Sequence, residues 1–392
     1  MYSSPLPPFA ACCRPAVLTC ALLASPALIR GQAVPRTDTP RAGTLRVTFE
    51  PVITTWEHEF TNGGRLRIGA TLFSEGPPVY GCVRVTIPRP DTTSFLACRY
   101  SDAVLVRAER RETPLIAELG VTNRLAIGVR LQLVRVRVQA RHDSTNTALD
   151  ALLADPTYAF APVQNTPRHL RYFAGDFEVA AKYRLVVGTN SATRIGFLAR
   201  LPTGHQESPH DLFDIPTGDH QTDLEIQGTQ ELVVAGRLWL NAAVRAGRQL
   251  AGTRERRVGP HTTSLIPRAA TARLDWRPGD YAAVDVAPMY RFHPSFGFGV
   301  SAGYWTKRRD RYAYRSAQDS IDVATQLGAP VAAGVLDAGT SQRWLRLGVV
   351  MTYAAPEVEG SFSLERTVSA SGGRVPAATV FRVVMRTSRW PF

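Results

Sequence analysis

Residues 176–187 read Asp-Phe-Glu-Val-Ala-Ala-Lys-Tyr-Arg-Leu-Val-Val. Phe177, Val179, Ala181, Tyr183, Leu185 and Val187 occupy the odd positions, while Asp176, Glu178, Lys182 and Arg184 occupy even ones. A period of two describes a strand with one apolar and one polar face. The rhythm recurs to the end of the chain. Ile195, Phe197, Ala199 and Leu201 oppose Arg194 and Arg200; Leu224 and Ile226 oppose Asp223 and Glu225. Leu238, Leu240, Ala242 and Val244 oppose Arg237, Asn241 and Arg245, and Val284, Val286, Tyr290 and Phe292 oppose Asp285 and Arg291. Phe296 to Tyr304 alternates with Gly297, Gly299 and Gly303; Leu345 to Tyr353 alternates with Arg346 and Thr352. Phe362 and Leu364 oppose Glu359 and Glu365, and Phe381, Val383 and Met385 oppose Arg382 and Arg386.

Most of these runs are long enough to cross a bilayer when tilted. Strands can do so only as a closed sheet, because every backbone polar group in hydrocarbon must find an internal partner. The pattern therefore predicts an all-β, up-and-down antiparallel transmembrane barrel of about 12 to 14 strands, apolar face to lipid and polar face to the lumen. A soluble β-protein that hides its apolar faces in one shared core is the competing fold. Trp56, Tyr183, Trp276, Tyr290, Phe292, Tyr304, Trp305, Trp344, Tyr353 and Trp390 recur near strand ends, where aromatic belts meet headgroups. The chain ends Trp390-Pro391-Phe392, an aromatic terminus whose proline cannot donate to a ladder.

Working outward, residues 1–33 read as an export signal. Arg14 precedes a mostly apolar stretch from Pro15 to Ile29, and Gly31-Gln32-Ala33 places small residues before a cleavage at Val34. Residues 34–392 then form one barrel unit. The formal charge is +13, but the basic residues are spread through polar strand positions, which argues against a nucleic-acid surface. Cys82 and Cys98 flank the turn-like Pro88-Arg89-Pro90-Asp91; one disulfide is the simplest reading in an oxidising compartment, two reduced thiols the other.

Thr44–Trp56 reads as a strand, Asn62-Gly63-Gly64 as a hairpin turn, and Arg65–Phe73 as further alternation. Leu125 to Leu133 carry apolar residues at odd positions, but from Val134 the apolar set moves to even ones, so either a bulge or a strand leaving the membrane lies there. Thr147–Leu153 looks helical. Tight turns are expected at Arg277–Asp280, His293–Ser295, Ala354–Pro356 and Ser371–Gly373, with longer gaps near 203–221, 250–267 and 307–341. Two consecutive short connections, near 278 and 294, do not fit the alternation of short turns and long loops and signal a misassigned segment. The gap 307–341, with Ile321, Val323 and Leu327 at helical spacing, either folds into the mouth or lies on the surface.

Glu118-Leu119-Gly120-Val121-Thr122-Asn123-Arg124-Leu125 with Gly128-Val129, then Gly175-Asp176-Phe177-Glu178 running into Tyr183-Arg184, then Leu201-Pro202-Thr203-Gly204 with Gly218 and Asp223, resemble outer-membrane proteins of the meta-pathway phenol-degradation type. The likeness covers roughly residues 113–306. Leu131-Gln132-Leu133 lacks the proline usual there. The resemblance implies an outer-membrane channel or uptake route for small, often hydrophobic compounds, and brings no catalytic residues.

His205, Glu207, His210, Asp211, Asp214, Asp219 and His220 crowd one loop, but their spacing matches no ligand frame, so a solvated loop is expected and no metal or other cofactor. No Gly-x-Ser-x-Gly elbow is present, and the chain is not read as an enzyme. With polar faces inward, Arg130, Lys182, Arg184, Arg194, Arg200, Arg237, Arg245, Arg291 and Arg346 line the lumen, with Asp176, Glu178, Asp223, Glu225 and Asp285 to pair some of them. An arginine excess in a narrow lumen favours anions. The expected function is a passive channel for small hydrophobic or anionic solutes, in contact with outer-membrane lipid and lipopolysaccharide. The alternative is a plugged structural or adhesion barrel whose charges brace it shut and whose loops bind a partner.

Overall fold

The computed structural model describes residues 37–62, 64–69, 83–86, 94–97, 104–142, 155–159, 168–169, 173–211, 214–218, 220–260, 266–354 and 358–387. Residues 1–33, where an export signal is expected, and Cys82, Cys98, Thr147–Leu153 and Trp390–Phe392 lie outside the described residues. Twelve antiparallel strands close into a barrel. They are β1 (Leu45–Phe49 continued by Val52–Trp56), β2 (Val104–Gly120), β3 (Leu125–His142), β4 (Phe173–Ala174 continued by Phe177–Val187), β5 (Ser191–Leu201) and β6 (Asp223–Val234). Then come β7 (Leu238–Gln249), β8 (Tyr281–His293), β9 (Phe296–Lys307), β10 (Gln342–Ala354), β11 (Val358–Ser371) and β12 (Thr379–Thr387). Each strand pairs with its chain neighbour, and β1 closes the ring against both β2 and β12.

The two faces are sorted as a membrane demands. Val179, Phe197, Ile226, Val244, Val286, Phe298, Val349 and Leu364 are exposed on the outer wall, while Glu178, Arg194, Asp223, Asn241, Thr352 and Ser363 are buried inside. A soluble sandwich would invert this distribution. Among the described residues no helix is long and apolar enough to cross a membrane.

Connections alternate in length without exception. Residues 121–124, 188–190, 235–237 and 294–295 make short turns at one end, which also holds the end of β10, the start of β11, the start of β1 and the end of β12. At the other end lie the gaps 57–103, 143–172, 202–222, 250–280, 308–341 and 372–378. Arg277–Asp280 is therefore not a barrel hairpin. Thr271–Arg277 belongs instead to a separate three-stranded sheet with Gly252–Arg257 and Arg311–Tyr314. That sheet packs with a helix, α1 (Ala317–Leu327), whose Ser316 and Asp319 form a reciprocal capping box and whose chain exits through Gly328 at φ 70°. Val258, Leu274, Trp276, Tyr312 and Val323 are buried between them. The loops 250–280 and 308–341 thus build a cap with its own hydrophobic core.

The structure decides three further points. Asn62 does sit at a hairpin, His58–Thr61 against Gly64–Arg67, but this pair stands at the rim and is not part of the barrel wall. The apolar shift at Val134 is no bulge: β2 and β3 stay in register from Val104↔His142 to Gly120↔Ala126. The outer face of β3 leaves lipid for water, so Arg135 and Arg137 replace leucines there. The inner face becomes packed, and Val134 and Val136 are fully buried. Trp276 lies in the cap core and not in a lipid belt, whereas Trp305 and Trp344 fall at inward positions of β9 and β10 and stack at 5.7 Å. Outward Phe292, Phe296 and Tyr353 do form an aromatic cluster at the short-turn end.

Candidate functional site

The lumen is a charged chamber. A cavity of about 310 Å³ lies within it, bordered by Arg46, Arg130, Lys182, Arg194, Arg245, Arg346, Arg382 and Arg386 and by Asp38, Glu50, Glu112, Glu118, Glu178, Asp285 and Glu365. These groups share a space because alternate residues of every strand point inward. They are cross-linked by ion pairs around the wall. Glu118 accepts from Arg46 at 2.9 Å and also binds Lys182. Arg46 holds Asp38 at 2.7 Å. Arg245 meets Asp285 at 2.9 Å, Arg382 meets Glu50 at 3.4 Å, and Arg346 meets Glu365 at 3.7 Å while lying over the Trp344 ring at 4.3 Å. Eight cations facing seven carboxylates leave little net charge. The arginine excess of the sequence is therefore largely neutralised inside the barrel.

The residues singled out from the sequence occupy three levels. Arg130, Lys182, Arg194, Arg245, Arg346, Glu178 and Asp285 border the cavity itself. Asp176, Arg200, Asp223 and Glu225 sit towards its long-loop end: Arg200 bridges Glu178 at 3.1 Å and Asp223 at 2.6 Å, and Glu225 accepts from Tyr281. Arg184 lies opposite Arg194 across the β4–β5 ladder and does not border the cavity. Arg237 is not in the lumen; it is exposed in the turn between β6 and β7. Arg291 donates to the Pro294 carbonyl at the short-turn rim, 2.9 Å away. Glu365, Arg382 and Arg386 were legible as polar positions of alternating strands. Glu118 was not, because it interrupts an apolar run, Ile116–Gly120, and Asp38 precedes the first strand altogether.

Both ends of the chamber are furnished. At the short-turn end Trp239, Met289 and Val350 make a small apolar core inside the barrel. Beside it runs the segment Thr37–Pro40: the Thr37 amide donates to Glu231 at 3.0 Å, and Asp38 is clasped by Arg46. The segment passes so close to the end of β2 that a Cβ on Gly120 would meet the Arg41 carbonyl oxygen at 1.9 Å. Only glycine fits there.

At the other end the loop 202–222 packs against the tall β2–β3–β4 wall. Gly204 N–H donates to Asp176 at 2.9 Å, Thr217 Oγ1 donates to the Ala174 carbonyl at 3.0 Å, and Arg110 donates to the carbonyls of Pro216 and Thr217 at 2.7 and 3.3 Å. Four of its titratable groups are paired with neighbours. His205 contacts Asp214 at 3.0 Å, His210 faces Arg257 at 3.0 Å, and Glu207 bridges Arg256 at 2.8 Å and Arg254 at 3.3 Å on the cap. Among the described residues no three of His, Cys, Asp and Glu converge as metal ligands. Arg256 and then Arg254 hold the Glu207 carboxyl below its ordinary range against its own burial. Burial, then Arg257 and Arg268, depress the His210 imidazole.

No family model and no curated protein matches this chain. Solved structures do. An outer-membrane channel of Pseudomonas putida F1 aligns over 91% of this chain and 100% of that one, with TM-score 0.55 and 10% identity. The likeness is one of fold: an outer-membrane β-barrel. The translocator domain of the autotransporter NalP from Neisseria meningitidis aligns over 96% of both chains at TM-score 0.39 and 9% identity, too loosely to add to the comparison. The fold sets the chain in an outer membrane, in contact with its lipid.

Proposed function

We propose that this chain is a passive outer-membrane channel for small solutes, with a modest preference for anions. The observation that carries the reading is the charged chamber of about 310 Å³ inside a closed wall. A brace needs charges but no space, and a cavity lined by guanidinium and carboxylate groups suits small polar solutes. The Nε groups of Arg130, Arg194, Arg245 and Arg346 are buried beside this space with no protein acceptor, so water or a passing anion is their natural partner. The motif resemblance to phenol-degradation barrels extends the reading to small aromatic acids, whose carboxylate would meet these donors. On this reading residues 1–33 direct export and the mature protein starts at Val34.

The plugged alternative has one observation in its favour, the segment Thr37–Pro40 lodged in the short-turn mouth. Planar-bilayer recordings decide between them. The purified mature barrel is expected to give single-channel steps, with a reversal potential in a KCl gradient displaced towards anion selectivity. Electrical silence in both the full chain and a variant lacking residues 34–42 would overturn the channel reading.

A further inference from the structure

One surface stands apart from the chamber and does not depend on it. On the outer wall, towards the long-loop end, β4 to β8 enclose a concave apolar groove of about 1090 Å³. Its sides include Phe197 and Ile226, both exposed to the membrane, and small Ala246 and Ala282 leave it hollow. At its upper margin Arg248 and Arg308 flank Asp280. Neither guanidinium makes an ion pair with any described residue. By contrast, two outward arginines of β2 are matched: Arg107 faces Glu57 at 3.7 Å and Arg111 binds Glu109.

Above the groove the excess continues. Arg277 and Arg311 lie directly opposite each other on the exposed face of the cap sheet, a like-charge cross-strand pair. Such a pair is unfavourable unless an anion sits nearby. Acyl-shaped apolar space below and unmatched guanidinium groups at headgroup level are the two halves of a phosphorylated lipid. The long-loop end of bacterial barrels faces outwards, into the leaflet built from lipopolysaccharide.

We propose that this groove is a specific docking site for the lipid A portion of lipopolysaccharide, with its acyl chain along Phe197 and Ile226 and its phosphates on the outward guanidinium groups of Arg248 and Arg308, clear of Asp280. The test uses the full mature barrel extracted in mild detergent from outer membranes, with bound lipid A counted by native mass spectrometry. The wild type is expected to retain lipid A. Arg248→Ala combined with Arg308→Ala should lower retention at least about tenfold, and Ala246→Phe, which fills the groove without touching a charge, should do the same. Arg237→Ala, at the opposite end, should retain it fully. Heat-modifiable electrophoretic mobility confirms that each variant is a folded barrel. Unchanged retention in both the arginine double variant and Ala246→Phe would overturn the site. So would equal retention of phosphatidylglycerol after reconstitution in vesicles holding both lipids.

Discussion

Replacing Glu118 by glutamine should destabilise the barrel more than any other single change of one charge in the lumen. The Glu118 carboxylate is nearly inaccessible, with Arg46 at 2.8 Å on one oxygen and Lys182 on the other. Glutamine keeps the shape but carries no charge, and its amide must point an N–H at one of two donors. Removing one partner of a buried ion pair costs about 3–5 kcal/mol, chiefly through the charges left behind. Asp38 still neutralises part of Arg46, and the Lys182 side chain is 25% open to the cavity, so the lower end applies. About 3 kcal/mol corresponds to a loss of roughly a hundredfold in the folding equilibrium. Urea titration of the barrel refolded into phospholipid vesicles, followed by tryptophan fluorescence, measures it. Adding Lys182→Met to Glu118→Gln should recover at least half of the loss, because the stranded cation is gone. The reasoning fails if Glu118→Gln costs less than about 1 kcal/mol, or if the second substitution deepens the loss.

Asp38→Ala frees Thr37–Pro40 from Arg46 and should raise the mean conductance in planar bilayers, with removal of residues 34–42 raising it further; equal currents would show that the segment does not narrow the mouth. Leu274→Ala hollows the cap core and should cost the cap about 2–5 kcal/mol, seen as faster proteolysis within 252–341 while barrel mobility on gels is unchanged. Acid should release the loop 202–222 from the cap in two stages. His210 has a depressed folded-state pKa, so its neutral form is favoured and the contact starts to weaken as pH falls below the free-imidazole value of 6.5. Glu207 is also depressed, so its contribution is complete above 4.5 and is lost as pH drops through and below that value. Protease nicking of the loop against pH reads both stages, and Glu207→Gln should abolish only the lower one.

The barrel was legible because its signal is local. Each strand declares its two faces residue by residue, as at Phe177 to Leu185, where the odd positions are the more exposed ones, until the register shift after Arg184 ends the alternation. What resisted reading depends on partners distant in the chain. Trp276 alternates like any membrane strand, and only its pairing with Gly252–Arg257 and Arg311–Tyr314 shows that it serves a cap. That same misplacement produced two short connections in succession. The polar face predicted inward direction but not depth: Arg237 shares the parity of Arg245, yet the Ala235–Gly236 turn, both residues at positive φ, carries it outside. The strand pattern leaves open whether the lumen arginines act as an anion-favouring field or are held in ion pairs; Asp38, Glu50, Glu112 and Glu118, drawn from the first third of the chain, join Glu178, Asp285 and Glu365 in balancing them.

The seam between β1 and β12 joins Val47 to Thr387. The first strand to leave the ribosome therefore waits for the last before its backbone is satisfied on both sides. Until then the sheet has two raw margins, and hydrocarbon offers neither of them a substitute for water. A nascent chain stopped before residue 379 is thus not a smaller pore but an unfinished ribbon. Insertion must be a late, all-or-nothing event, and quality control need inspect only one joint to know whether the whole molecule is complete.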